Sequence, residues 1–125
     1  MACLFCNLPE SRIILSNQQA VAVADGFPIS PGHTLIIPRR HIESIFETNA
    51  EEANALIRLL AEAKNFVAKE YKPDGFNIGV NDGPAAGQTI PHLHIHLIPR
   101  FTGDHPDPRG GVRWIIPEKA DYWSI

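Results

Sequence analysis

The residues with the most chemistry lie in Pro91-His92-Leu93-His94-Ile95-His96-Leu97-Ile98-Pro99, where three histidines alternate with three aliphatics. In an extended chain successive side chains point to opposite faces, so His92, His94 and His96 would share one face and Leu93, Ile95 and Leu97 the other. Side chains two residues apart on a strand lie roughly 6.5–7 Å from each other. Three imidazoles at that interval suit groups strung along one polyanionic substrate. Imidazole is also the side chain best matched to nucleophilic attack and proton transfer near neutral pH. A packed or solvated strand, or a site in which all three rings bind metal, would also accommodate the pattern. Three of the chain's six histidines at period two favour a catalytic row.

A second set is Cys3-Leu4-Phe5-Cys6, a C-x-x-C that contains both cysteines of the chain. Zinc binding, inert thiols and redox chemistry all remain open from the spacing. A position at the extreme N-terminus, not between a strand and a helix, argues against a thioredoxin-like role. Half a zinc site needs two more ligands, which histidines can supply. The loop Asn81-Asp82-Gly83-Pro84-Ala85-Ala86-Gly87-Gln88-Thr89 feeds into the histidine strand. Its small residues permit close approach to the backbone, and Gln88 and Thr89 offer neutral donors, so it reads as an oxyanion or phosphate cradle or as a plain turn.

These residues must be held by a scaffold of ordinary soluble composition. The chain has 125 residues, 44% hydrophobic and 20% charged, with a formal net charge of −3. That size predicts one domain, 1–125, able to bury a core without disulfides. The charge gives no basic surplus for nucleic acid. No apolar run reaches membrane-spanning length. The N-terminus lacks the features of a signal peptide, which makes the cytoplasm the expected compartment. Apolar runs predict strands over 12–16, 20–24, 33–38, 76–80 and the histidine stretch, with the first two as a hairpin. One long helix is expected to start at a Thr48 cap with Glu51 three residues on, and to end near Tyr71-Lys72 before Pro73. Its apolar stripe is Ala53, Leu56, Ile57, Leu60, Ala63 and Val67, while Glu52, Arg58, Glu62, Lys64 and Lys69 read as a solvated face. A short apolar run over 112–116 and a small helical turn after Glu118 complete an α+β chain with a five-stranded antiparallel sheet, one long helix and a short C-terminal helix.

The alternating tract Pro91 to Ile98, following Gly87-Gln88-Thr89, resembles the signature of the histidine triad (HIT) family. Ser30-Pro31-Gly32-His33-Thr34-Leu35-Ile36-Ile37-Pro38-Arg39-Arg40-His41 resembles its second hallmark. The likeness covers about 3–100, leaving 101–125 as a C-terminal extension. The loop 81–89 looks most like the fragile histidine triad branch, whose members cleave dinucleoside polyphosphates, although Arg109 to Trp114 does not match the animal members of that branch.

The resemblance implies hydrolysis at an α-phosphate through a nucleotidyl-histidine, with AMP released from diadenosine tri- or tetraphosphate. Its alternatives are adenosine phosphoramidate hydrolysis and nucleotide binding in a regulatory role. It makes His94 the nucleophile, held by the carbonyl of His92, with His96 assisting at phosphate and His33 in support. Asp25 falls where relatives bind ribose, and Asn81, Gly87, Gln88 and Thr89 where they meet phosphate or the leaving group. Cys3, Cys6, His41 and His92 map onto a structural zinc set. A homodimer joined through sheet edges, acting on a small nucleotide, follows from the same likeness, while the charge and the apolar runs predict no nucleic acid and no membrane partner. His105 reads as surface. Arg109 and Arg113 read as solvated loop arginines or polyphosphate contacts, and Trp114 and Trp123 as packing or dimer contacts.

Overall fold

The computed structural model describes residues 3–124. Five strands form one antiparallel sheet: β1 (Ile13–Ser16), β2 (Ala20–Ala24), β3 (Thr34–Pro38), β4 (Gly75–Gly79) and β5 (Ile95–Arg100). Their spatial order is β1-β2-β3-β5-β4, every neighbour antiparallel. A single long helix, α1 (Ala50–Tyr71), links β3 to β4. This is the expected α+β architecture. The run Ala20-Val21-Ala22-Val23 of β2 and Thr34 to Pro38 of β3 are buried throughout, because these central strands are covered on both faces.

On one face α1 lays Leu56, Leu59, Ala63 and Val67 over Ala20, Ala22, Ile36, Ile95 and Leu97. The other face carries a second cluster, Val21, Val23, Leu35 and Ile37, covered by Phe5, Leu8 and Ile13 from the N-terminal segment. Further along that face His96 pairs with Leu35 and with Gly79, so the third histidine shares the side covered by the N-terminal segment. Buried apolar side chains on both faces are the main stabilising contribution, since each removes its surface from water.

The helix corrects two expectations. Its N-cap is Asn49, not Thr48, and Glu52, not Glu51, closes the capping box: Asn49 accepts from the Glu52 amide and Glu52 from the Asn49 amide. Thr48 instead donates its hydroxyl to the Ile45 carbonyl. The second correction concerns the faces. Glu52 is 1% exposed, Leu59 is buried and Ile57 faces solvent. The buried stripe therefore runs 52, 56, 59, 63, 67. Glu52 joins it because Arg40 supplies a fork of two hydrogen bonds, Nε at 2.8 Å and Nη2 at 2.7 Å.

A 3₁₀ turn over Ile45–Glu47 precedes α1 and has its own capping box, Ser44 with Glu47. At the other end, Lys72 takes the left-handed conformation and stops the helix before Pro73. Gly32, at φ +88°, turns the chain into β3. A Cβ there would lie 2.8 Å from Tyr71 Cδ2 and 3.0 Å from Val67 Cγ1, so glycine lets the turn lie against the helix.

The histidine stretch is extended for only part of its length. Pairing with β3 begins at Ile95, and residues 91–94 bend outside the ladder, where the Leu93 amide donates to the Ile42 carbonyl at 2.7 Å. Beyond β5, the expected apolar run is a 3₁₀ turn, Gly111–Ile115, followed by another at Pro117–Lys119 in place of a regular short helix. Gly111 at φ +50° brings the first turn onto β4: a Cβ there would be 3.3 Å from Asn77 Nδ2. Arg113 ties the two turns by donating to the carbonyls of Lys119 and Ala120. No helix among the described residues is long and apolar enough to cross a membrane.

Candidate functional site: a metal clamp beside a histidine relay

The row divides at once into unlike members. His92 is 0% exposed, whereas His94 and His96 are half-buried. Its Nε2 lies 2.8 Å from the Pro38 carbonyl, which can only accept, so Nε2 carries the proton and Nδ1 presents its lone pair. That lone pair faces Cys3 Sγ at 3.3 Å and Cys6 Sγ at 3.5 Å, and Cys6 Sγ lies 3.2 Å from His41 Nδ1. The four ligand atoms lie within 4.8 Å of one another. Bond lengths of about 2.3 Å to sulfur and about 2.0–2.1 Å to nitrogen put neighbouring ligands of a tetrahedral zinc roughly 3.5 Å apart. The cluster matches that spacing, and two thiols with two neutral imidazoles are the donor set zinc favours. The residues present therefore fit a closed Cys2His2 zinc site, with the Pro38 carbonyl fixing the tautomer of one ligand.

His94 is oriented by the same peptide. Its Nδ1 lies 2.9 Å from the His92 carbonyl, so Nδ1–H donates and Nε2 keeps a free lone pair, with no protein partner among the described residues. The Phe5 ring stands edge-on at 5.1 Å and limits the imidazole on one side. His96 stands on the other, its ring centre 5.1 Å away.

His96 belongs to a second chain of bonds. The Ile29 amide donates to His33 Nδ1 at 3.2 Å, which places the His33 proton on Nε2. That nitrogen lies 3.0 Å from His96 Nδ1 and 3.3 Å from Asp25 Oδ2. His33 therefore donates to His96 Nδ1, and His96 is left with a proton on Nε2. The same reasoning rules against a cation held by Asp25, His33 and His96, although their donor atoms cluster. A metal would need the His33 Nε2 lone pair, which the backbone bond at Nδ1 assigns to the proton. Burial lowers the pKa of His33 and, with the neighbouring His94 and His33, that of His96, so both rings favour the neutral form. Burial also lowers that of His92, as a neutral metal ligand requires.

The other expected residues are partly gathered here. His33, His96 and Asn81 line one groove of about 470 Å³ with Ile29, Ile98 and the turn at Gly111–Ile115. Gly87, at φ +92°, lies against Asn81: a Cβ would be 3.8 Å from its Nδ2. Thr89 is exposed. The Gln88 amide is committed to the loop itself, accepting from the Gly83 amide at 2.8 Å and donating to the carbonyls of Glu43 and Ile90 at 2.9 and 3.2 Å. Asp25 Oδ1 accepts from the Phe27 amide at 2.8 Å, which fixes the carboxylate beside His33.

Several residues missing from the sequence reading position the site. Asp82 Oδ2 accepts from the Ser44 hydroxyl and the Ile45 amide, both at 2.9 Å, and so moors the small-residue loop to the segment before α1. The S-x-x-E of Ser44 and Glu47 was a readable signal for that turn; nothing local in the sequence announces Asp82, Phe5 or the pairing of Arg40 with the buried Glu52. His105 is exposed, as expected. Arg109 pairs with Asp107 at 2.8 Å and lies over the Trp123 ring at 4.6 Å, so with Arg113 it serves the C-terminal packing instead of standing free in a loop.

A five-stranded antiparallel sheet with one long helix, a Cys/His cluster able to hold a metal, and linked imidazoles at the histidine strand together describe the site. The HIT domain model matches residues 8–103. An uncharacterised HIT-like protein of Saccharolobus solfataricus is 40% identical over 109 residues, covering 84% of this chain and 78% of that protein. A bis(5′-adenosyl)-triphosphatase of Saccharomyces cerevisiae is 32% identical over 118 residues, 94% of this chain and 54% of the yeast protein. The crystal structure of a Zn-bound histidine triad family protein from Mycobacterium smegmatis superposes with a TM-score of 0.73 at 31% identity, covering 85% of this chain and 84% of that one. The chain belongs to the HIT family, and its likeness to the yeast triphosphatase supports the dinucleoside polyphosphate hydrolase branch within it.

Proposed function

We propose that the chain is a nucleotide hydrolase that cleaves at the α-phosphate of dinucleoside polyphosphates, such as diadenosine tri- or tetraphosphate, and releases AMP. The observation that carries this reading is the opposed protonation of two neighbouring rings. His94 Nε2 has its lone pair free because Nδ1–H is held by the His92 carbonyl, and His96 Nε2 has its proton because Nδ1 accepts from His33. A nucleophile and a hydrogen-bond donor stand side by side.

In the first step His94 Nε2 forms a bond to the α-phosphorus as the bond from phosphorus to the bridging oxygen breaks. His96 Nε2–H donates a hydrogen bond to that departing oxygen and steadies the charge it gains, with His33 orienting the ring through Nδ1. The charge that His94 gains on forming the P–N bond is eased by its Nδ1–H bond to the His92 carbonyl. In the second step water attacks the phosphorus as the P–N bond breaks, the water's proton passes to solvent, AMP leaves and His94 is restored. Asp25 is positioned to accept from ribose hydroxyls, and Asn81, Gly87 and Thr89 to meet phosphate or the leaving group. The role proposed for Gln88 is to shape that loop as well as to border it.

Zinc, when bound, supplies no chemistry to these steps; it ties the N-terminal segment to the peptide that orients His94. The chain is further proposed to act in the cytoplasm as a homodimer joined through β4, an edge strand paired with β5 on one side and open on the other among the described residues, where Ile78 is exposed.

The test is product release from a panel of diadenosine triphosphate, diadenosine tetraphosphate and adenosine phosphoramidate, with His94→Ala alongside. The expected result is AMP from a polyphosphate substrate, an AMP adduct trapped on the wild-type protein, and a loss of at least about 10³-fold in His94→Ala with the fold intact. Retained hydrolysis in that variant overturns the mechanism. Cleavage of the phosphoramidate alone overturns the substrate class.

A further inference from the structure

The two thiols of the metal cluster are also neighbours of each other. Cys3 caps a 3₁₀ turn, Leu4–Cys6. A 3₁₀ turn has three residues and rises about 2.0 Å per residue, so the residues it joins stand roughly 6 Å apart. Disulfide-bonded cysteines have Cα atoms about 4.4–6.8 Å apart. Both sulfurs belong to the four ligand atoms that lie within 4.8 Å of one another. One turn of chain thus offers the same two sulfurs to a metal or to a bond between themselves.

The turn has supports of its own. The Cys6 amide donates to the Cys3 carbonyl at 3.2 Å and the Asn7 amide to the Leu4 carbonyl at 3.4 Å. Asn7 Nδ2 also donates to the Cys3 carbonyl, at 2.9 Å. Between the thiols, Phe5 packs with Leu8 on the apolar cluster of β2 and β3. None of these contacts uses a sulfur, so the thiols stay paired whether or not an ion lies between them. Cys6 is exposed and Cys3 half-buried, so a small oxidant in solution reaches Cys6 first.

We propose that Cys3 and Cys6 are a reversible disulfide site for hydroperoxides, and that closing the disulfide expels the ion from the Cys2His2 cluster. The Cys6 thiolate attacks one oxygen of the peroxide, the O–O bond breaks, and the sulfur becomes a sulfenic acid as the other oxygen departs as hydroxide. The Cys3 thiolate then attacks that sulfur. The S–S bond forms, the S–O bond breaks, and a second hydroxide departs. Protons from solvent turn both hydroxides to water. The two sulfurs together lose two electrons and the peroxide gains them.

A disulfide offers no thiolate, which leaves His41 and His92 as two of the four ligands that a structural zinc takes. The ion leaves in the divalent state in which it was bound. His92 keeps the Pro38 carbonyl on Nε2 and loses its sulfur neighbours at Nδ1. A dithiol reductant restores the pair by thiol–disulfide exchange. The inference rests on the reading of the cluster as a metal clamp and not on the reaction proposed for His94.

The test treats purified, zinc-carrying protein with excess hydrogen peroxide and follows released zinc with a chromogenic chelator, free thiols, and intact mass. The chain has no other cysteine, so a monomer lighter by two hydrogens assigns the bond. Bound zinc is expected to fall at least about tenfold, in step with the loss of both thiols. The far-UV circular dichroism should persist, and dithiothreitol with added zinc should return both the thiols and the ion. Thiols that stay reduced, thiols lost while zinc stays bound, or a chain that unfolds on oxidation would each overturn the inference. So would sulfinic acid, or chains linked to one another, as the main product. None of these readouts is turnover, so the proposed hydrolysis stands or falls separately. Untreated protein with less than about a tenth of an equivalent of zinc overturns the clamp itself, and with it the inference, before any peroxide is added.

Discussion

Replacing Arg40 by methionine strips the counter-ion from a carboxylate that has almost no access to water. Glu52 is 1% exposed and holds the Arg40 guanidinium by two hydrogen bonds of 2.8 and 2.7 Å. The guanidinium bonds, together with the Asn49 amide, lower the Glu52 pKa from an ordinary 4.5 to about 2. A shift of that size corresponds to roughly 3 kcal/mol of preference for the ionised form. The Arg40 side chain is 54% exposed, so solvent screens its half of the pair, and about 2 kcal/mol is the better figure for stability.

Methionine keeps the stem but leaves the charge uncompensated, and the cost for Arg40→Met should be about 2–3 kcal/mol at pH 7. Glu52→Gln removes the same charge pair from the other side. It keeps an acceptor for the Asn49 amide and lets Arg40 turn to water, so it should cost about 1 kcal/mol. The sign of the pH dependence also differs. In the wild type the contribution is complete above pH 4.5 and drains away as pH falls toward 2. In Arg40→Met, burial outweighs the remaining Asn49 amide bond and raises the carboxyl above its ordinary value, so protonation relieves the variant and its deficit shrinks on acidification from pH 7 to 4.5. Urea unfolding followed by circular dichroism at both pH values reads these differences. A cost below about 0.5 kcal/mol for Arg40→Met, or a larger cost for Glu52→Gln, would refute the reasoning.

Protein purified without chelator should carry about one equivalent of zinc per chain, and Cys6→Ser should lose it together with thermal stability; less than a tenth of an equivalent in the wild type rules the clamp out. The imidazole C2–H resonances of His33 and His96 should titrate below the ordinary 6.5. Their folded-state pKa values are depressed, so the stability they contribute is complete above pH 6.5 and is lost as pH falls through the lower values; a midpoint at or above 6.5 for either ring contradicts the relay.

The strands and the helix were legible because their patterns are local: Ala20 to Ala24 alternates, and Pro73 sets where the helix can end. The start of the helix was not, because Thr48 and Asn49 are both competent caps. What separates them is which glutamate, Glu51 or Glu52, meets the arginine that follows β3. Arg40 is twelve residues away in sequence and its reach is a tertiary fact. The same holds for the row of histidines. Period two treats His92, His94 and His96 alike; the Pro38 carbonyl, the His92 carbonyl and His33 assign their protons differently, and none of these partners is visible in the alternation. The C-terminal tract was readable as loop and apolar run. Its place over Asn77 and β4 depends on Gly110 and Gly111 at positive φ, which no spacing rule supplies.

His92 connects the two halves of the site through opposite ends of one residue. Its ring is fixed by the Pro38 carbonyl on Nε2 and faces the thiols through Nδ1, so it cannot rotate without breaking buried contacts. Its carbonyl is the acceptor for His94 Nδ1–H. Holding the ring therefore holds the peptide, and holding the peptide holds the tautomer that leaves His94 Nε2 free. A lost anchor at His92 costs no reacting atom, yet it releases the imidazole at His94 to the other tautomer, in which the proton blocks the attacking lone pair. In the mechanism proposed above, His92 thus sets whether its neighbour can act as the nucleophile.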